Sequence, residues 1–137
     1  MAKTYSKEMQ DIVDGKQVAF VNFGATLRCI RATITLSAQA IGDEIFLAHL
    51  PEGAQFKYGI MTTSVSLGTS TIEIGTEGDA DKYRTSGVFT TANVPTMFGL
   101  PADIVPVGGE DVILKPGTAA LPESGTLIID LFYTTNQ

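Results

Sequence analysis

From Arg31 to Gln39 polar and apolar residues alternate without a break. Ala32, Ile34, Leu36, Ala38 and Ala40 share one face, and Arg31, Thr33, Thr35, Ser37 and Gln39 the other. Successive strand side chains point to opposite faces, so this is the pattern of a half-buried β-strand. On a helix the same apolar residues would be scattered around the whole circumference. The pattern recurs. Ala54, Phe56, Tyr58 and Ile60 alternate with Gln55, Lys57, Gly59 and Met61, and Ile72 and Ile74 with Thr71 and Glu73. Leu127, Ile129, Leu131 and Tyr133 alternate with Thr126, Ile128, Asp130 and Phe132. In this last strand the second face is also largely apolar, as expected of a central strand covered on both sides, or of one whose second side faces a partner subunit.

The punctuation between these runs suits antiparallel sheets. Gly42-Asp43 separates two strand patterns. Leu50-Pro51-Glu52-Gly53 fits a type I turn, and Lys115-Pro116-Gly117 a type II turn. Gly108-Gly109, between Ile104–Val107 and Asp111–Leu114, predicts a tight hairpin. The expected fold is all-β: an antiparallel two-sheet sandwich, jelly-roll-like, of about eight strands. Residues 1–16 read as an N-terminal arm, or as one short helix from Ser6 to Asp14 capped by Ser6. Residues 17–137 read as a single β-sandwich domain. Tyr83 to Leu100 lacks clean alternation, and long ordered loops of this kind are often functional.

Composition narrows the function. A hydrophobic content of 44% supports a packed core rather than disorder. The longest apolar runs, such as Val18–Val21, are far shorter than the ~20 residues of a membrane span. The start, Met1-Ala2-Lys3-Thr4-Tyr5, has no apolar signal core. Cys29 is the one cysteine, so no internal disulfide forms, and it reads as a small hydrophobe at a strand start. The net charge of −6 is carried by the second half, where residues 69–137 hold nine acidic and three basic residues. That balance disfavours nucleic acid as a partner.

No catalytic constellation is visible, so no catalytic, cofactor-binding or metal residue is assigned. The lone histidine, His49, reads as a strand-end residue on the face of Ile45 and Leu47, and it has no nucleophile beside it. One histidine and one cysteine are too few ligands for structural zinc. Glu77, Asp79 and Asp81 alternate in a glycine-containing loop and pose the question of calcium, but the full calcium-loop signature is absent. Lys82 and Arg84 compete for the same acids. Leu121-Pro122-Glu123-Ser124-Gly125 lacks the threonine and apolar tail of a cell-wall sorting signal. A carbohydrate-binding sandwich is the alternative, with Tyr58, Tyr83, Phe89 and Phe98 as ring platforms, although the chain has no tryptophan.

Two stretches carry a resemblance. One is Ile41-Gly42-Asp43-Glu44-Ile45-Phe46-Leu47-Ala48-His49-Leu50-Pro51-Glu52-Gly53-Ala54. The other is Ser66-Leu67-Gly68-Thr69-Ser70-Thr71-Ile72-Glu73-Ile74-Gly75-Thr76, followed by Gly78-Asp79-Ala80-Asp81-Lys82-Tyr83. Together they resemble small structural proteins of tailed bacteriophages, several of which are capsid decoration or cement proteins with β-sandwich folds. The resemblance implies a non-enzymatic virion protein, made in the host cytoplasm and placed on the capsid surface. Its partners would be the major capsid protein of the head shell and itself, as a homo-oligomer such as a trimer. No nucleic acid and no membrane are expected, and tail or head–tail proteins belong to the same structural class. Ile128 and Phe132 are then the expected interface residues.

Overall fold

The computed structural model describes residues 25–135, together with Ser6, Met9, Gln10, Val13, Asp14 and Gly15. Eight strands lie among the described residues: β1 (Thr26–Thr35), β2 (Ile45–Leu50), β3 (Gln55–Thr63), β4 (Thr71–Gly75), β5 (Arg84–Val88), β6 (Thr96–Phe98), β7 (Glu110–Gly117) and β8 (Thr126–Thr135). They form two antiparallel sheets of four, in the orders β1-β8-β3-β6 and β2-β7-β4-β5. Here these are sheet A and sheet B. Only β4 and β5 are consecutive strands that pair with each other; every other connection crosses to the opposite sheet. This is the expected jelly-roll-like sandwich.

The core lies between the sheets. β8 supplies Leu127, Ile129 and Leu131, and sheet B supplies Leu50, Ile72, Ile74, Val112 and Leu114, all fully buried or nearly so. As the alternation predicts, β8 is central, flanked by β1 and β3. Its other face carries Ile128, Asp130 and Phe132, each half-buried.

Several expectations shift, each for a physical reason. The strand expected over Arg31–Gln39 ends at Thr35, where its partner β8 begins at Thr126, and beyond it Ala38 takes a positive φ of 57° and turns the chain away. In β3 a bulge between Phe56 and Tyr58 moves the pairing by one residue. One extra residue exchanges the faces of everything after it. Phe56 therefore enters the core, but Tyr58 and Ile60 turn outward while Gly59 and Met61 are buried. A second bulge, between Phe46 and Ala48, does the same in β2. Leu47 and Leu50 point inward, and His49 stands on the surface rather than beside Leu47.

The turns also move. Ala54 N–H donates to the Pro51 carbonyl at 3.2 Å, so the turn is Pro51–Ala54, with Gly53 third at a φ of 81°. Lys115-Pro116-Gly117 is no turn but the end of β7. Pro116 is tolerated there because β2 pairing stops at Leu114, so no ladder partner needs its missing N–H. Gly108 and Gly109 do form a tight turn, with φ of 91° and 80°. However, 104–107 is no hairpin partner of β7: Val105 instead bonds both ways with Gly53 and Ala54, at 3.0 and 2.8 Å. Tyr83–Leu100, expected to be irregular, contains β5 and β6. Both are short edge strands, where alternation has little to enforce it.

Near the N-terminus, the Ser6 hydroxyl accepts from Met9 N–H at 3.2 Å and the Ser6 carbonyl from Gln10 N–H at 2.8 Å. These contacts put Ser6 in the expected capping place. Met9, Gln10 and Val13 are helical and Asp14 N–H donates to the Gln10 carbonyl at 2.9 Å, so the helix reading holds for these residues. Of the expected arm, 1–16, residues 1–5, 7–8, 11–12 and 16 lie outside the described residues.

Candidate functional site

Three surfaces hold the residues that chemistry or assembly would use. The first is the end of sheet B where β2 finishes and β7 starts. Lys82 Nζ reaches both oxygens of Glu110, at 2.9 and 3.0 Å, and the Tyr83 hydroxyl donates to Glu110 Oε1. The Lys82 and Glu110 side chains are only 22% and 12% exposed, and Tyr83 is buried with its ring 4.5 Å from that of Phe56. Lys82 therefore serves Glu110 and not the neighbouring acids of its own loop. Arg84 does not serve those acids either. Its guanidinium donates to the carbonyls of Ile72, Thr85, Gly87 and Val88, and burial lowers its pKa. It fastens the β4–β5 hairpin across a register shift between Ile72 and Ile74.

The Tyr83 phenol has its pKa raised, first by burial and then by its hydrogen bond to Glu110 and that carboxylate's charge. An unfolded tyrosine titrates near 10. The folded protein holds this proton to higher pH, so the stability it contributes is complete below about pH 10 and is lost as the pH rises beyond it. Between about pH 9 and 11 the melting temperature of the wild type should fall more steeply than that of Tyr83→Phe. Equal slopes in thermal melts would remove Tyr83 as the cause.

In the loop that precedes Lys82, Asp79 and Asp81 stand side by side. The Asp79 carboxyl is raised above the usual range, chiefly by its hydrogen bond to Asp81, with Lys82 acting in the opposite sense. Glu77 does not join them as a third ligand: among the described residues no three His, Cys, Asp or Glu side chains converge as a metal would require. Calcium takes roughly six to eight oxygens. His49 Nδ1 lies 2.8 Å from Asp111 Oδ1, with both side chains more than half exposed and no nucleophile in the pair.

The second surface is the outer face of sheet A. The bulge that turns Tyr58 outward stacks it on Phe132, with centroids 4.6 Å apart and planes 11° from parallel. In the next row Arg31, Asp130, Ile60 and Met97 lie side by side on β1, β8, β3 and β6. Arg31 Nε bonds Asp130 at 2.8 Å, and Met97 is 69% exposed. Cys29 lies opposite Phe132, exposed in mid-strand rather than packed as a core hydrophobe. Of the four rings considered for sugar stacking, Tyr83, Phe89 and Phe98 are core residues, and only Tyr58 faces outward. The sequence signalled Ile128 and Phe132 here; Tyr58, Ile60 and Met97 were hidden by the bulge and the short edge strand.

The third surface is the loop over 99–109, which carries Leu100, Ile104 and Val107 at 39%, 46% and 92% exposure. Next to it Gln55, Phe56, Lys57, Gly99, Leu100, Pro101 and Ala102 line an open hollow of about 400 Å³.

In fold the chain is similar to chains of three bacteriophage capsids. One, in the cyanophage Pam1 capsid asymmetric unit, matches with a TM-score of 0.67 and 18% identity, over 82% of this chain and 87% of that one. One in the capsid of Ralstonia phage GP4 matches at 0.63 and 21%, over 82% and 86%. One in the acidic stable capsid of Helicobacter pylori bacteriophage KHP30 matches at 0.58 and 11%, over 82% and 90%. The shares are high on both sides, so in each case the match is to most of a chain and not to one domain of a much longer one. No protein-family pattern and no curated protein matches.

Proposed function

We propose that the chain is a non-enzymatic structural protein of a phage virion and, within it, a decoration or cement protein on the head shell. The observation that carries this is the jelly-roll-like sandwich, matched along most of its length by chains of three phage capsids. A cement protein needs a rigid body and surfaces that pack against other protein, and it needs no chemistry. The outer face of sheet A supplies such a surface: an aromatic stack and apolar neighbours around one ion pair. Apolar faces of this kind favour lasting association. In this reading that face joins copies into an oligomer such as a trimer, the arm at 1–16 reaches a neighbour by strand addition, and the body binds the major capsid protein. Its place is the capsid surface, after synthesis in the host cytoplasm.

Size-exclusion chromatography with light scattering tests the proposal, on the purified chain alone and mixed with expanded heads assembled without it. Stable oligomers that co-migrate with the heads are the expected result. A chain that ignores the heads and is missing from purified virions would sink the proposal. For the oligomer, Phe132→Ser should shift the scattering mass toward the monomer while leaving the fold intact. A mass unchanged by that substitution would move the self-contact off sheet A.

A further inference from the structure

The geometry points to the 99–109 loop as the element that seats in the partner, and to a positively charged protein surface with an apolar recess as what it meets. This rests on the reading of the chain as a shell-binding protein, and it specifies which end of the sandwich makes the contact.

The antiparallel register brings the end of β2 at Leu50, the end of β4 at Gly75, the start of β5 at Arg84 and the start of β7 at Glu110 to one end of sheet B. Glu52, Glu77, Asp79, Asp81, Glu110 and Asp111 flank those strand ends, and Asp103 lies in the loop itself. Lys82 neutralises Glu110, and Arg84 and Lys57 add two further cations, so seven acids stand against three basic side chains and this end keeps a net negative field. Such a field repels acidic surfaces and nucleic acid and draws in basic ones.

Within that acidic surround the loop is held stiffly. Its backbone bonds Gly53 and Ala54, Gly108 N–H donates to Glu52 Oε2 at 3.0 Å, and the Ala102 carbonyl accepts from Gln55 Nε2 at 3.0 Å. Val107, at the tip, is 92% exposed and contributes almost nothing to this protein's own core. A stiff loop with an apolar tip loses little freedom on docking, and a central apolar anchor inside a polar rim is how interfaces concentrate their affinity. The rim acids govern encounter rate and salt dependence, and Val107 governs residence.

The test is sedimentation binding to heads assembled without this chain. Val107→Ser, which disturbs no packing, should weaken binding by about tenfold or more, as expected when a buried valine is lost from an interface. Asp103→Lys should slow association. Ile41→Ser, which alters an exposed apolar residue at the opposite end, should bind as the wild type does. Raising the salt from about 50 to about 500 mM should weaken wild-type binding, because screening removes the attraction. Val107→Ser binding as tightly as the wild type would overturn the inference while the shell-binding reading stands. Salt-independent binding with Asp103→Lys unaffected would overturn the basic character of the partner surface. Wild type that fails to bind the heads would overturn both the reading and the inference.

Discussion

Gly75→Ala is expected to destabilise the protein by about 3 kcal/mol or more, in the upper range for overpacking a core. Gly75 ends β4 and is buried, and the loop after it folds straight back. Thr76 N–H donates to the Asp79 carbonyl at 2.9 Å, and Tyr83 N–H to the Ile74 carbonyl at 2.9 Å. A methyl group on Gly75 would overlap the Asp79 carbonyl oxygen and the Ala80 carbonyl group. These are backbone atoms, so no rotamer change relieves the clash. The whole loop must lift, taking Lys82 and Tyr83 off Glu110. For a domain of this size the melting temperature should fall by about 10 °C. Gly59→Ala gives the contrast, since the atoms nearest its methyl would be those of the Phe98 ring, a side chain on a short edge strand and not backbone. If Gly75→Ala melts within a degree or two of the wild type, the loop is not held as described.

Glu110→Ala is the second large effect, about 3 kcal/mol. It leaves a mostly buried lysine and a buried phenol without their common acceptor, and orphaned buried groups carry most of such losses. Glu110→Gln keeps an oxygen for the Tyr83 hydroxyl and loses only the charge opposite Lys82, so it should cost roughly half as much. Chemical denaturation of the two variants checks the order. Equal losses would mean that the ion pair, and not the phenol, carries the effect.

The strands that could be read in advance are those whose alternation is long and unbroken. β8 was legible on both faces, as was the Ile72–Ile74 core face of β4, because burial enforces a period of two there. The faces of β3 beyond Phe56 were not legible. A bulge has no fixed local signature, and its single extra residue sends Tyr58 and Ile60 to the opposite side. β5 and β6 escaped because edge strands of three to five residues leave only a residue or two to bury. The acidic loop drew attention through Asp79 and Asp81, yet the pairing that matters there is made by Glu110, 28 residues from Lys82. No spacing rule connects them; only β4, which lies between β5 and β7 and brings their starts to one end of sheet B, does. Val107 read as part of a strand, Ile104–Val107, and became a projecting tip because Val105 bonds the Gly53–Ala54 turn instead of β7.

The pairing of β1 with β8 sets the timing of folding. Arg28 touches Thr135 across 107 positions of sequence, and the two strands run in register for ten residue pairs. Sheet A has no closed form until β8 has left the ribosome, so the sandwich cannot fold piece by piece during synthesis. Chains dominated by such distant pairings fold in roughly milliseconds to seconds. Through that interval the apolar strands β3 and β7 wait uncovered, open to chaperones and to one another. A cell making many copies of such a chain at once would draw on its folding machinery as well as on its ribosomes.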